Sequence, residues 1–149
     1  MNQQQVGRAG ELYVAAEIHR RGGYAVTFAG NMPGIDILAC NLDESRHTSI
    51  QVKTRRTGTW HARYPEDAPE CNEDPTETSF WSFVDLSSEH PAYFIAPRWW
   101  IRNDIRRIAA PYHARYEQEH GYPRQSHHHA IPVNRIEQWR ERWDILDIF

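Results

Sequence analysis

The fold turns on Pro33-Gly34-Ile35-Asp36-Ile37-Leu38-Ala39 and, fifteen residues after Asp36, Gln51-Val52-Lys53, with Ile50 as the apolar lead-in. Ile35 to Asn41 and Thr48 to Thr54 are strand-like runs separated by the polar stretch 42–47. Side chains alternate across a strand, so Ile35, Ile37 and Ala39 share one face and Asp36 and Leu38 the other. On the second run Ile50 and Val52 oppose Gln51 and Lys53. A hairpin folded symmetrically about Glu44-Ser45 sets Asp36 across from Lys53 and Leu38 across from Gln51, with Cβ atoms of facing residues ~5 Å apart. Polar and apolar faces then each coincide, and a one-residue slip would bury the charges and expose the isoleucines. The hairpin gathers a carboxylate, an amide and an ammonium. A cross-strand Asp36–Lys53 ion pair on an exposed face accounts for the trio equally well.

Outward from the hairpin, residues 4–22 read as a helix. Gly7, Glu11, Val14, Ala15 and Ile18 recur at three- and four-residue spacing, and Gly22-Gly23 stops it. Glu11 falls in the small and apolar row, where a carboxylate is costly unless it is paired or binds a metal. The alternative is an edge position reaching solvent or an arginine. Tyr24–Phe28 reads as the first strand and 29–34 as a turn. Phe80–Leu86 and Ala92–Ala96 read as two aromatic strands that extend the sheet by another hairpin. Arg98 to about His120 reads as a helix ended or kinked at Pro111, and Arg135–Trp143 as a closing helix with Ile136, Trp139 and Trp143 inward. Residues 55–78 and 121–134 show no periodicity. The expected fold class is α+β, an α/β sandwich with one mixed sheet flanked by helices, in a single domain spanning 1–149.

An Asp, a short hairpin and then (Glu/Gln)-X-Lys resembles the signature of the PD-(D/E)XK, or restriction endonuclease-like, nuclease superfamily. Gln51-Val52-Lys53 is similar to the variant of Mrr-like enzymes. Gly10-Glu11 in a helix closed by 20–24 resembles the first helix of that fold, and the chain looks like small single-domain bacterial members without a settled role. The resemblance implies a metal-dependent nuclease cleaving DNA phosphodiester bonds, in repair, restriction or mobile-element defence. It implies catalytic roles for Asp36, Gln51, Lys53 and Glu11, and Mg²⁺, replaceable by Mn²⁺, held by Asp36, Gln51, the Val52 carbonyl and Glu11. Gln51 in place of an acid removes one negative charge from the metal's shell. The alternative is a nuclease-fold module without catalysis that binds DNA or a protein partner. Many nucleases of this fold cut as dimers, so a homodimer is a further expectation.

Arg55, Arg56, Arg102 and Arg106 are candidates for phosphate contact, each with a solvent-facing alternative. The net charge of −3 argues against strong nonspecific nucleic-acid binding, yet six acids within 57–79, against Arg63 alone, leave the remainder slightly basic. That acidic run is a solvated loop or a gate over the cleft. Trp60, Trp99 and Trp100 stay open as base-stacking residues. His127-His128-His129 lacks patterned partners, which makes a zinc site weak. Cys40 and Cys71 read as reduced thiols. With neither a signal peptide nor a ~20-residue apolar span in the sequence, a cytoplasmic, membrane-free protein is expected.

Overall fold

The first helix, α1 (Gln3–Arg20), opens on a capping box. The Asn2 side chain accepts from the Gln5 N–H while the Gln5 side chain accepts from the Asn2 N–H, each at 2.9 Å. The helix closes where Gly22 takes a φ of 100°, a conformation that favours glycine. Its inward row is Gly10, Val14, Ala15 and Ile18. At Gly10 the helix meets the sheet with no side chain between, because a Cβ there would lie 1.9 Å from the Thr54 Oγ1. The computed structural model describes residues 1–30, 32–64 and 73–149.

Five strands form the main sheet. They are β1 (Tyr24–Thr27), β2 (Ile37–Cys40), β3 (His47–Arg55), β5 (Ser79–Asp85) and β6 (Ala92–Pro97), in that spatial order. All neighbours are antiparallel except β3 and β5, so the sheet is mixed, as the sequence implies. Both faces are covered. Val14 and Ile18 of α1 pack with Ile37, Ile50, Phe80, Val84 and Ile95 on one side. Ile101 and Ile105 of α2 (Arg98–His120) pack with Phe83, Phe94, Trp60 and Ile131 on the other. The chain is an α+β sandwich.

The β2–β3 register departs from expectation. Ile37 pairs with Ile50 and Leu38 with Ser49, two residues away from the pairing that would set Asp36 across from Lys53 and Leu38 across from Gln51. The cause is a four-residue loop. Asn41 accepts from the Arg46 N–H through its side chain, Ser45 turns on Asp43, and Glu44 takes a φ of 60°. A two-residue shift preserves strand parity, so every side chain keeps its expected face. Gln51 and Lys53 still lie on the α2 side of the sheet.

Two further expectations are corrected. The aperiodic stretch after Arg55 contains β4 (Trp60–Arg63), which pairs with β7 (His128–Ile131) from the other aperiodic stretch to make a separate two-stranded sheet. Each strand is only four residues long, and histidines and Arg63 interrupt its apolar pattern. The closing helix over 135–143 is replaced by three short 3₁₀ turns, Val133–Arg135, Glu137–Trp139 and Trp143–Leu146. Ile136 and Trp143 are nevertheless buried as expected. The second helix spans Arg98–His120 as expected, with Pro111 inside it.

The turns are fastened to α2 by Arg135. It donates to the buried Asp104 carboxylate at 2.5 Å and, through Nη1, to the His129 Nε2 at 2.8 Å. Burial, then the adjacent Arg135 charge, holds the His129 imidazole neutral, its pKa pushed down to about 4.

Candidate active site

At its carboxyl end β3 outruns β2. Up to Ile50 the β2 side of the strand is occupied by backbone, ending with the Asp36 N–H donated to the Ile50 carbonyl at 2.9 Å. One step further the Asp36 side chain takes over, its Oδ2 accepting the Val52 N–H at 2.6 Å. Odd-numbered residues of β3 address β5 instead, since Ser49 donates to Thr78 and Arg55 accepts from Leu86, both at 2.9 Å. In an extended strand a residue's N–H and C=O point to the same side. The Val52 carbonyl therefore faces the same gap as the Asp36 carboxylate. Asp36 Oδ1 and the Gln51 amide have no hydrogen-bond partner among the described residues.

Lys53 stands on the same stretch of β3, its Nζ 5.3 Å from the centre of the Trp81 ring. It makes no ion pair within 4.0 Å among the described residues, so the Asp36–Lys53 salt bridge that would have made the trio ordinary is absent there. Burial lowers the Lys53 pKa from the usual lysine range, and the Asp36 charge opposes that shift only in part. Lys53 is also the one lysine of the chain, against sixteen arginines. That imbalance is a sequence signal in its own right, because an ammonium and a guanidinium are not interchangeable where a compact, titratable charge is needed.

Glu11 and Asp36 line one cavity, with Arg8, Phe28 and Gly7 between α1 and the turn before β2. Glu11 is held by Arg8 at 2.7 Å, and Arg8 also donates to the Phe28 carbonyl at 3.2 Å. Both expectations for Glu11 thus hold part of the truth: it reaches an arginine, and it borders the Asp36 cavity.

The four candidate phosphate contacts separate. Arg55 is taken up by the fold, which corrects its expected role. It pairs with Asp85 at 2.6 Å, donates to the Gly58 carbonyl and lies 3.9 Å over the Trp60 ring, with its side chain 14% exposed. Arg56 is exposed and lines a groove with Lys53, Thr57 and His61. Arg102 borders a pocket that also contains Gln51. Arg106, one helical turn further on, is partly buried and already has an interaction partner. Arg63 and Arg98 join Arg102 around that pocket, and no local periodicity points to Arg63 there.

Trp60 is withdrawn as a stacking residue, being 1% exposed with its Nε1 bonded to the Val84 carbonyl at 3.0 Å. Trp100 packs edge-on against Trp139. The histidine run splits: the His128 ring lies tilted against His61, His127 stacks with His113, and His129 accepts from Arg135. Among the described residues no group of three or more His, Cys, Asp or Glu is placed to hold a metal. Of the acidic run, Glu66, Asp67 and Glu70 lie outside the described residues, as does Cys71; Cys40 is a free thiol.

A zinc-type donor cluster is thus missing from the described residues, but Mg²⁺ asks for less. It takes one or two carboxylates with neutral oxygens and several waters. Asp36 Oδ1, the Gln51 amide oxygen and the Val52 carbonyl suit that requirement in chemical type, with Glu11 bordering the Asp36 cavity. The donors are all oxygens, which fits a hard divalent cation.

No protein-family model matches this sequence, and no curated protein matches it. Among solved structures, the bacterial homing endonuclease I-Ssp6803I superposes with a TM-score of 0.53 at 12% identity, covering 99% of this chain and 95% of that one. The chain shares its fold with a homing endonuclease. At that identity the likeness concerns architecture and not individual residues. No helix among the described residues is long and apolar enough to cross a membrane.

Proposed function

We propose that this chain is a metal-dependent nuclease of the PD-(D/E)XK superfamily, hydrolysing phosphodiester bonds in DNA. The observation that carries the reading is the open end of β3. There the Asp36 carboxylate replaces the missing strand at Val52, and the next residue is Lys53, half-buried and without an ion pair among the described residues. Asp36, Gln51 and the Val52 carbonyl would hold Mg²⁺ or Mn²⁺, with Glu11 contributing from α1. When bound, the ion lowers the pKa of a coordinated water and offsets charge on the phosphate. Lys53 supplies the fixed positive charge that meets negative charge developing on the phosphoryl oxygens, or it orients the attacking water. Asp36 fixes its own orientation through the Val52 N–H, so its free oxygen is preorganised.

A second reading, a DNA- or protein-binding module without catalysis, is favoured by two observations. Position 51 carries an amide where the superfamily has a carboxylate, and Glu11 is neutralised by Arg8. The test is cleavage of linear, supercoiled, single-stranded and branched DNA with Mg²⁺ or Mn²⁺, comparing the wild type with Asp36→Ala and Lys53→Ala. Cleavage by the wild type alone supports the nuclease. Equal cleavage by all three discards this site, and retained DNA binding without cleavage in any moves the module ahead. Sedimentation at several concentrations tests the expected homodimer.

A further inference from the structure

Beside Gln51, on the α2 face of the sheet, lies a cavity of about 190 Å³ walled by Trp81 of β5, Arg63 of β4, and Arg98 and Arg102 of α2. Nine of the sixteen arginines are ion-paired with described carboxylates. Arg63, Arg98 and Arg102 are not, and none of the three donates a hydrogen bond to a described residue. Three arginines therefore line one small space with no ion-paired carboxylate among the described residues.

Their placement opposes local stability. Arg98 and Arg102 are four apart on one helix, a spacing at which like charges repel. They sit in the first turns of α2, whose positive end disfavours cations and which carries no acid in its first turn and no side-chain cap. An anion in the cavity would reverse each of these terms. Its size limits the choice. Pockets for whole small ligands run to roughly 300–1,000 Å³, so this one admits a single anionic group and not a nucleotide. Planar guanidinium forks match the paired non-bridging oxygens of a phosphodiester.

We infer that this cavity is a seat for one backbone phosphate of bound DNA, a neighbour of the phosphate at Asp36, with Gln51 forming the wall between the two. The inference rests on the nuclease reading for the identity of the polymer but not on catalysis. The strand would cross the end of β3 with one phosphate at the carboxylate and the next among Arg63, Arg98 and Arg102. Specific bases are not engaged here, so the seat sets register along the strand and not sequence preference.

The test is binding, in metal-free buffer, to duplexes in which one phosphate at a time is replaced by a neutral methylphosphonate. With the wild type, one replacement site weakens binding about tenfold, the scale of a charge-assisted contact. With Arg98→Gln/Arg102→Gln, affinity for unmodified duplex falls similarly, that replacement site becomes silent, and the salt slope decreases by about one. Arg98→Lys/Arg102→Lys recovers part of the affinity, because charge returns without the fork. Thermal unfolding of the Gln variant at or above the wild-type midpoint confirms that folding is intact. A Gln variant with unchanged affinity and slope overturns the seat, as does a wild type that binds no duplex. Because the readout is binding, failure of catalysis alone leaves this result standing and refutes only the nuclease reading. Normal cleavage with an unchanged Gln variant does the opposite.

Discussion

Gly10→Ala tests whether the close approach of α1 to β3 positions the site. A methyl group at position 10 would lie 1.9 Å from Thr54 Oγ1 and 2.9 Å from both Thr54 Cβ and Cγ2. The obstacle is a β-branched side chain rooted in the central strand, not the tip of a flexible one, so helix and strand must separate. Overpacking of this kind costs about 1–3 kcal/mol, and contacts this short belong at the upper end. Against it stands the helix propensity of alanine over glycine, about 1 kcal/mol. The net loss is about 2 kcal/mol, or a fall of roughly 4–8 °C in Tm for a domain of this size. Thr54→Ala removes the two branch atoms and an Oγ1 that is buried without a partner, leaving only the Cβ contact. The Gly10→Ala step therefore costs less in the Thr54→Ala background than in the wild type, with a coupling of about 1–2 kcal/mol. Urea unfolding of the four proteins measures this cycle. Cleavage follows the same order, since Glu11 adjoins the displaced residue. A Gly10→Ala protein as stable as the wild type, or strictly additive effects, would refute the packing argument.

Asp36→Asn keeps a side-chain oxygen for the Val52 N–H, so we expect wild-type thermal stability with cleavage lost. Asp36→Ala loses both, dropping unfolding stability by about 1–2 kcal/mol. Lys53→Met removes a charge that burial disfavours, so its Tm equals or exceeds that of the wild type while cleavage disappears; a large drop in Tm would show a structural ammonium instead. Because the Lys53 pKa lies below the ordinary range, wild-type cleavage declines on the alkaline side before an unperturbed lysine would titrate, which a pH–rate profile reads directly. His129 binds its proton less readily folded, near pH 4, than unfolded, near 6.5. Stability from this group is therefore complete above about pH 6.5 and is lost as the pH falls toward 4, and His129→Gln should flatten that part of the stability–pH curve.

The parts of the molecule that could be read from sequence are those where one physical rule dominates. Parity fixes which face a strand residue takes, so the faces of Asp36, Gln51 and Lys53 were legible even though the loop at 42–45 moved their pairing by two residues. Helical spacing placed Val14, Ala15 and Ile18 inward, and it flagged Glu11 beside them. Where long-range contacts decide, the reading failed. Trp60-His61-Ala62-Arg63 alternates buried and exposed, but four residues cannot announce a strand whose partner lies almost seventy positions away at His128–Ile131. Arg55 looked like a surface cation because Asp85, which claims it, is brought near only by the parallel β3–β5 pairing. The same crossover sets Arg63 beside Arg98 and Arg102, a proximity that no local pattern encodes.

The bond from the Val52 N–H to Asp36 has a consequence for how such a protein could change over generations. A lineage released from the need to cleave DNA would lose Lys53 readily, because burial disfavours its ammonium and it has no ion-pair partner among the described residues. Position 36 would resist, since any residue other than Asp or Asn leaves the edge of β3 without its partner. Silenced descendants would then keep the acidic half of the motif, or its amide, long after the basic half had drifted. An Asp at this position is therefore a weak sign of activity, and the lysine is the residue to look for.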